Sequence, residues 1–365
     1  MTESTGSPEL FDRGAVAGPH LIGPDETVLV TGANGFIGVR VVNMLLDQGF
    51  RRIRCFVRPS SNLTRLHELM RHAGSPAHST IEIVEGNLLV PHDCERAAAG
   101  VAVILHLAAA MTEKSFAACF MNSVLTTRNL LDAVVATGTL KRFVNVSSFA
   151  VYSLWTVRRG ATVDEQTPVE TSPQQRFDPY GYAKLKQEEL LQAYHERFAL
   201  PYVILRPGVV FGPGKRELSA RIGIGTFGMF LHMGGSNRIP LTYVDNCADA
   251  VVRAGIVPGI DGNIFNVVDD NLPTSRRFLR LHKRYGGWFA SIPVPFRIGY
   301  LLSSAWERYS SWSEGQLPPR FNRRRALAEW GGHRYSNAKV KQMLGWRPRV
   351  EIDDALRTYL ESLAV

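Results

Sequence analysis

Cysteine is scarce in this chain of 365 residues. Its four cysteines, Cys55, Cys94, Cys119 and Cys247, are scattered, with no Cys-x-x-Cys spacing and no histidine cluster beside them. That speaks against a disulfide framework and a structural zinc, and for a reducing, cytoplasmic setting. The other histidines also lack metal-ligand spacing, so no metal is expected. Long apolar runs are missing as well, and no stretch reaches bilayer-spanning length. The nearest approach, "WFASIPVPFRIGYLLSSAWERY" (288–309), is broken by prolines and arginine. It suits a lid over a pocket, a core helix of a small lobe, or a peripheral contact with a membrane surface. The N-terminus has no basic segment followed by an apolar run, so residues 1–25 read as a disordered polar arm and not a signal peptide. The net charge of +9 shows no basic stripe with interleaved aromatics, which argues against a nucleic-acid partner and suits an anionic small molecule.

What is present is ample material for a core: 45% of residues are hydrophobic against 21% charged. Short β-branched runs alternate with helical patterns from "ETVLVTG" to "PYVILRP" (201–207). The strands are continuously apolar, as strands covered on both faces are, so the pattern predicts an α/β fold with a doubly wound parallel sheet. The rhythm breaks near residue 208, where glycine-rich, irregular segments begin. We read a nucleotide-type domain over 26–207, completed by about 239–268. A smaller substrate lobe takes 208–238 and 269–362 and sits over the sheet's C-terminal edge.

"TGANGFIG" places Gly32, Gly35 and Gly38 directly after a strand and at the start of a helix. Glycines there let the backbone approach a pyrophosphate that helix N-terminal amides then hold, which marks a Rossmann-type dinucleotide site. The candidate contacts are Gly32, Asn34, Gly35, Phe36, Ile37 and Gly38. At the end of the second strand, "CFVRPSSN" offers no acid for a ribose 2′-hydroxyl, whereas Arg58 suits a 2′-phosphate. NADP is therefore favoured, with NAD the alternative. "GPGKRE" (212–217) is not a P-loop, because Val209 replaces its first glycine and Arg216 its Ser or Thr.

"YGYAKLKQEE" (180–189) writes Tyr-x-x-x-Lys twice, as Tyr180 with Lys184 and Tyr182 with Lys186. Residues two apart on a helix point in nearly opposite directions, so only one pair can face the sheet. At about 100° per residue, Tyr180 and Lys184 share a face with Ala183, Leu190, Leu191, Tyr194 and Phe198. Tyr182 and Lys186 fall with Glu189, Glu196 and Arg197, as an exposed i,i+4 pair.

"TGANGFIG", "HLAA", "VNVSSFAVY", "DPYGYAK", "LRPGVVFGPG", "TYVDNCADA" and "LGWRPRV" occur in that order over roughly 26–362. Together they resemble the extended short-chain dehydrogenase/reductase family. The resemblance implies that Tyr180 exchanges a proton with the substrate oxygen, that Lys184 eases phenolate formation and binds the nicotinamide ribose, and that Ser148 positions the oxygen, with Ser147 the alternative. It also implies cofactor contacts from Asn87, Leu88, Leu107, Ala108, Ala109 and Pro207, with Asn87 standing where the family usually has an adenine-binding aspartate. Asn122 matches a structural asparagine, His106 is expected to be structural, and Asp245 and Asn246 to organise the loop under the cofactor. A homodimer through 118–138 and 180–198 is implied too.

The substrate is less legible. Nucleotide-sugar members carry an asparagine where Val209 stands and an arginine where Ile239 stands, with Arg238 one step off. "GGSNRIPLTYVDN" (234–246) is similar to the 3β-hydroxysteroid dehydrogenase branch. The resulting expectation is an NAD(P)-dependent oxidoreductase interconverting a secondary alcohol and a ketone on a bulky, lipid- or steroid-like small molecule. A nucleotide-sugar epimerase or dehydratase and a non-catalytic dinucleotide sensor are the alternatives. The long passage between Ser148 and Tyr180 suggests an enlarged loop bordering the site.

Overall fold

Seven strands build one parallel sheet: β1 (Thr27–Thr31), β2 (Arg52–Val57), β3 (Thr80–Glu85), β4 (Val101–His106), β5 (Arg142–Val146), β6 (Tyr202–Pro207) and β7 (Asn263–Val267). Their order across the sheet is β7-β6-β5-β4-β1-β2-β3. The computed structural model describes residues 19–72, 80–111, 113, 115–226, 228–313, 316–319 and 321–364. Every residue of β4, β5 and β6 is buried, as their uninterrupted apolar runs require, whereas the edge strand β3 is half-exposed.

Helices cover both faces. On one side, Val41, Val42 and Leu45 of α1 (Gly38–Asp47) pack with Ala248, Val251 and Val252 of the helix Val244–Ile256 over Val30, Ile53, Val103 and Val203. On the other, Leu130, Leu131 and Val134 pack with Leu191 of the helix Pro179–Phe198 over Leu29, Ile104, Phe143 and Ile204. The chain reverses its winding between β1 and β4, whose ends meet with Thr31 beside His106. In open α/β sheets ligands bind at such a switch point, outside the strands' carboxyl ends.

The N-terminal arm needs a corrected boundary. Residues 1–18 lie outside the described residues, but Ile22 is buried in the main core and the Leu21 N–H donates to Ile256 O at 2.7 Å. The last part of the expected arm is thus a packed strap.

The segment 208–236 is more regular than its glycines suggested. Val209–Phe211 pairs with Leu241–Tyr243, and Gly223–Thr226 forms a hairpin with Met229–His232 that Ser291–Pro293 extends. A Cβ on Gly223 would lie 2.1 Å from Leu231 O, so this glycine serves close backbone approach inside a strand. Thr162–Val163, from the enlarged loop, pairs with Arg334–Tyr335. Residues 288–309 do not form a core helix: within Phe296–Trp312 only Gly299, Ser303 and Ser310 are buried.

Candidate active site

The glycine turn closes tightly onto its neighbours. Gly32 has φ +70°, and a Cβ on it would meet Ala108 N at 3.1 Å. A Cβ on Gly38 would sit 2.1 Å from Gly32 O, which forces strand and helix together. At Gly35 an added Cβ would meet only Gly32 O, at 3.0 Å, leaving its outer side open. No side chain caps the α1 N-terminus, although the Val39 N–H donates to Gly35 O at 3.2 Å, so a ligand there meets the positive end of the helix dipole with no side-chain competitor. The residues present therefore fit the diphosphate of a dinucleotide. Asn34, Phe36 and Ile37 complete this turn. Leu107, Ala108 and Ala109 follow β4 and stand against it, with the Ala108 N–H donating to Thr31 Oγ1 at 3.3 Å.

The remaining cofactor candidates lie along the same edge. Arg58 follows β2, exposed and without an ion-pair partner among the described residues. Asn87 is exposed after β3. Its Oδ1 accepts from Leu89 N at 3.0 Å, which leaves its two amide N–H groups and one lone pair of that oxygen for an adenine. Leu88 is buried, its carbonyl held by Asn129 Nδ2 at 3.0 Å. Pro207 ends β6 against Val267.

Ser148 lies just beyond β5, and its Oγ accepts from Ala150 N at 3.2 Å, turning the chain into a short 3₁₀ turn. The helix Pro179–Phe198 begins with Asp178 as N-cap, accepting from Gly181 N at 3.0 Å, and Pro179 at its first position. Tyr180 in its first turn is partly exposed and lies beside Ser148, close enough for that hydroxyl to favour its phenolate. Burial pushes the Tyr180 hydroxyl up to about 12, the Ser148 hydroxyl opposing this and Asp178 adding to it. Lys184, one turn on, is buried and donates to Val146 O at 2.6 Å. Burial brings its ammonium down to about 8, against the pull of Glu188. Without a ligand, then, the lysine is held by a backbone carbonyl and the tyrosine is a neutral phenol.

The two serines do point apart. Ser147 turns inward and bonds Glu188, which is also held by Arg206 through Nε at 3.0 Å and Nη2 at 2.5 Å. Arg206 lies 4.7 Å from the centroid of the Tyr152 ring. Pattern reading missed this buried Glu188–Arg206 pair. Its only signal is a glutamate four residues after Lys184, on the same helix face.

Two expectations, the Tyr182–Lys186 pair and an inward Phe198, need correction. Tyr182 and Lys186 do not pair: Lys186 binds Glu189 at 2.5 Å, and Tyr182 packs edge-on against Phe116. Phe198, assigned to the inward face, is exposed because it ends the helix beyond the sheet. Asn122, in an exposed π-turn, bonds Glu113 at 3.3 Å. His106 is structural, bonded to Thr31 and Thr127 at 2.8 and 2.9 Å, and burial lowers it to about 3. Asp245 pairs with Arg40 of α1 at 3.2 Å. Asn246 pins the C-terminal segment, accepting from Arg349 N and Val350 N at 2.9 and 3.0 Å.

Beside Ser148 a cavity of about 130 Å³ opens between the sheet edge and the lobe. Phe149, Leu154, Val209 and Ala328 form its apolar lining, and Ser219, Arg221 and Glu329 its polar one. Arg221 donates to Ala328 O and Tyr335 Oη, both at 3.1 Å. Lys215, from the rejected "GPGKRE" motif, stands 5.8 Å from the Phe36 ring centroid and so faces the glycine turn from the lobe. No sequence spacing identified Arg221 or Lys215, because both belong to loops.

A seven-stranded parallel sheet with a glycine turn at its switch point and a Ser-Tyr-Lys cluster beside it defines an extended short-chain dehydrogenase/reductase. The chain belongs to the NAD dependent epimerase/dehydratase family, whose pattern matches residues 28–267. It is an enzyme of the NAD(P)-dependent oxidoreductase type. It is 26% identical to the sterol-4-alpha-carboxylate 3-dehydrogenase, decarboxylating, of Candida albicans, over 92% of this chain and 97% of that one. It is also 26% identical to the 2-alkyl-3-oxoalkanoate reductase of Stenotrophomonas maltophilia, over 92% and 99%. In fold it is similar to UDP-glucuronic acid 4-epimerase from Bacillus cereus, solved with NAD, at a TM-score of 0.67, 20% identity and coverage of 92% and 98%.

Proposed function

We propose that the protein interconverts a secondary alcohol and a ketone on a bulky, largely apolar substrate of lipid or steroid type, preferring NADP. The observation that carries this reading is Tyr180 beside Ser148 and one helical turn from buried Lys184, with Ser148 lining a cavity. A bound nicotinamide dinucleotide supplies the hydride acceptor or donor. Tyr180 Oη gives its proton to the ketone oxygen in reduction and takes it back in oxidation. Ser148 holds that oxygen in place. The Lys184 ammonium, anchored by Val146 O, lowers the cost of the phenolate and holds the nicotinamide ribose. The glycine turn takes the diphosphate, Asn87 and Leu88 the adenine, Leu107 to Ala109 and Pro207 the inner part of the cofactor, and Arg58 the 2′-phosphate.

Two relatives have names that place a carboxylate one carbon away from the oxidised or reduced position. Arg221 is a guanidinium in the cavity whose Nε lies 3.9 Å from Glu329 and whose Nη2 is left for such a carboxylate, so the substrate class is a β-hydroxy or β-keto acid with an apolar body. Val209 and Ile239 stand where nucleotide-sugar members carry an asparagine and an arginine, and Arg238 is engaged with Leu272 O at 2.6 Å, which supports this reading over a nucleotide sugar.

The test measures the cofactor content of purified protein together with NADPH and NADH oxidation on β-keto acids and neutral ketones. NADPH-driven reduction of the acids is expected, and Arg221→Leu should raise KM for the acids alone. Tightly retained NAD without net turnover overturns the proposal in favour of an epimerase or dehydratase. Cofactor binding with no turnover in either direction would instead indicate a sensor.

A further inference from the structure

The helix α2 (Phe296–Trp312) carries a broad apolar stripe on its outward side. Its fully buried residues are Gly299, Ser303 and Ser310, with Phe296 and Tyr300 packed half-buried beside them on the Met233–Trp330 cluster. Ile298, Leu301, Leu302, Ala305, Tyr309 and Trp312 face solvent and, at about 100° per residue, fall within about 100° of arc. Leu301 is 67% and Trp312 77% exposed, so this apolar stripe is not covered by the lobe. Trp288, ahead of the helix, is 80% exposed. A surface helix ordinarily keeps its outward side polar, and an exposed apolar stripe of this width marks a surface made to be covered.

Charge indicates the occupant. Arg297 and Arg308 lie along one margin of the stripe, exposed and without ion-pair partners among the described residues. Lys283 and Arg284 close the preceding helix beside Trp288. Lys283 Nζ stands 5.5 Å from the centroid of the Trp288 ring. An apolar stripe with aromatic ends and an arginine margin suits a helix lying in the headgroup region of an anionic bilayer. No helix among the described residues is long and apolar enough to cross a membrane, so the contact is peripheral.

We propose that α2 and the Trp288 segment dock the protein on an anionic lipid surface, whichever substrate the active site takes. The test is co-sedimentation of the full chain with vesicles of phosphatidylcholine alone or with phosphatidylserine. Binding is expected to the phosphatidylserine vesicles, and to weaken in high salt. Arg297→Gln and Arg308→Gln should each weaken it by about fivefold, as about 1 kcal/mol per basic residue implies. Leu301→Ser with Trp312→Ser should weaken it at least about tenfold, since each removes an apolar side chain from the lipid contact. These side chains are solvent-exposed, so unchanged thermal unfolding and dinucleotide binding confirm an intact fold. Wild-type protein that stays in the supernatant with anionic vesicles overturns the proposal. So does a wild-type oligomer that Leu301→Ser converts to a smaller species, which assigns the face to a second copy of the chain.

Discussion

Tyr180 and Lys184 have opposite electrostatic problems one helical turn apart. The phenol is pushed up to about 12 and the ammonium brought down to about 8, both chiefly by burial. Tyr180→Phe should reduce turnover at least about 100-fold while dinucleotide binding persists, because only the proton transfer is lost; comparing kcat with the cofactor Kd checks this. Lys184 also leaves a signature in stability. Between pH 8 and its ordinary value of 10.5, the unfolded chain carries more protons on this group than the native one. Wild-type stability from this residue therefore rises with pH across that window. Lys184→Met should lack activity yet gain stability relative to wild type at pH 7, an advantage that shrinks from pH 8 to 10.5 in denaturant titrations. The serines separate in the same manner. Ser148→Ala should lower kcat about 100-fold. Ser147→Ala should mainly lower the unfolding midpoint, because its bond to buried Glu188 is lost.

Gly181 explains why a glycine follows the tyrosine. A Cβ there would lie 2.3 Å from Arg176 Nη2 and 2.6 Å from Asp178 Oδ2, breaking the pair that starts the helix carrying Tyr180. Gly181→Ala should therefore reduce kcat more than cofactor affinity, since it moves Tyr180 and spares the glycine turn. One turn beyond Lys184 in the same helix, Glu188 is fully enclosed with Arg206. Glu188→Ala would leave that guanidinium buried without its partner, and about 3–5 kcal/mol of stability should be lost. Replacing both partners by apolar residues should restore most of it, which urea unfolding of the two variants can test. The start of this helix was legible in "DPYGYAK", but the depth of its inward face was not, because periodicity ranks faces without knowing what covers them.

At the scale of the whole molecule, the proposed contacts rest on apolar side chains left exposed. Phe120, Met121 and Phe198 are exposed on the helices proposed to form a homodimer. Sedimentation equilibrium should return twice the 40.6 kDa chain mass, and Phe198→Glu should return the chain mass itself. The α2 stripe is a separate surface, and its substitutions should leave that mass unchanged.

The sheet could be read directly from local pattern, because continuously apolar strands between amphipathic helices have few other ways to bury their faces. The glycine turn and the choice of Tyr180 over Tyr182 were equally local, resting on backbone space and on helical spacing. The Glu188–Arg206 pair, the arrival of Arg221 and Lys215 at the site, and the strands hidden in 208–236 were not local. Each depends on segments far apart in the chain meeting at one place, and a glycine placed for close contact looks like a glycine in a loop until its neighbour is known. The outward apolar face of α2 belongs to the same class: its residues are what a core helix would carry, and only the packed lobe shows which side was left bare.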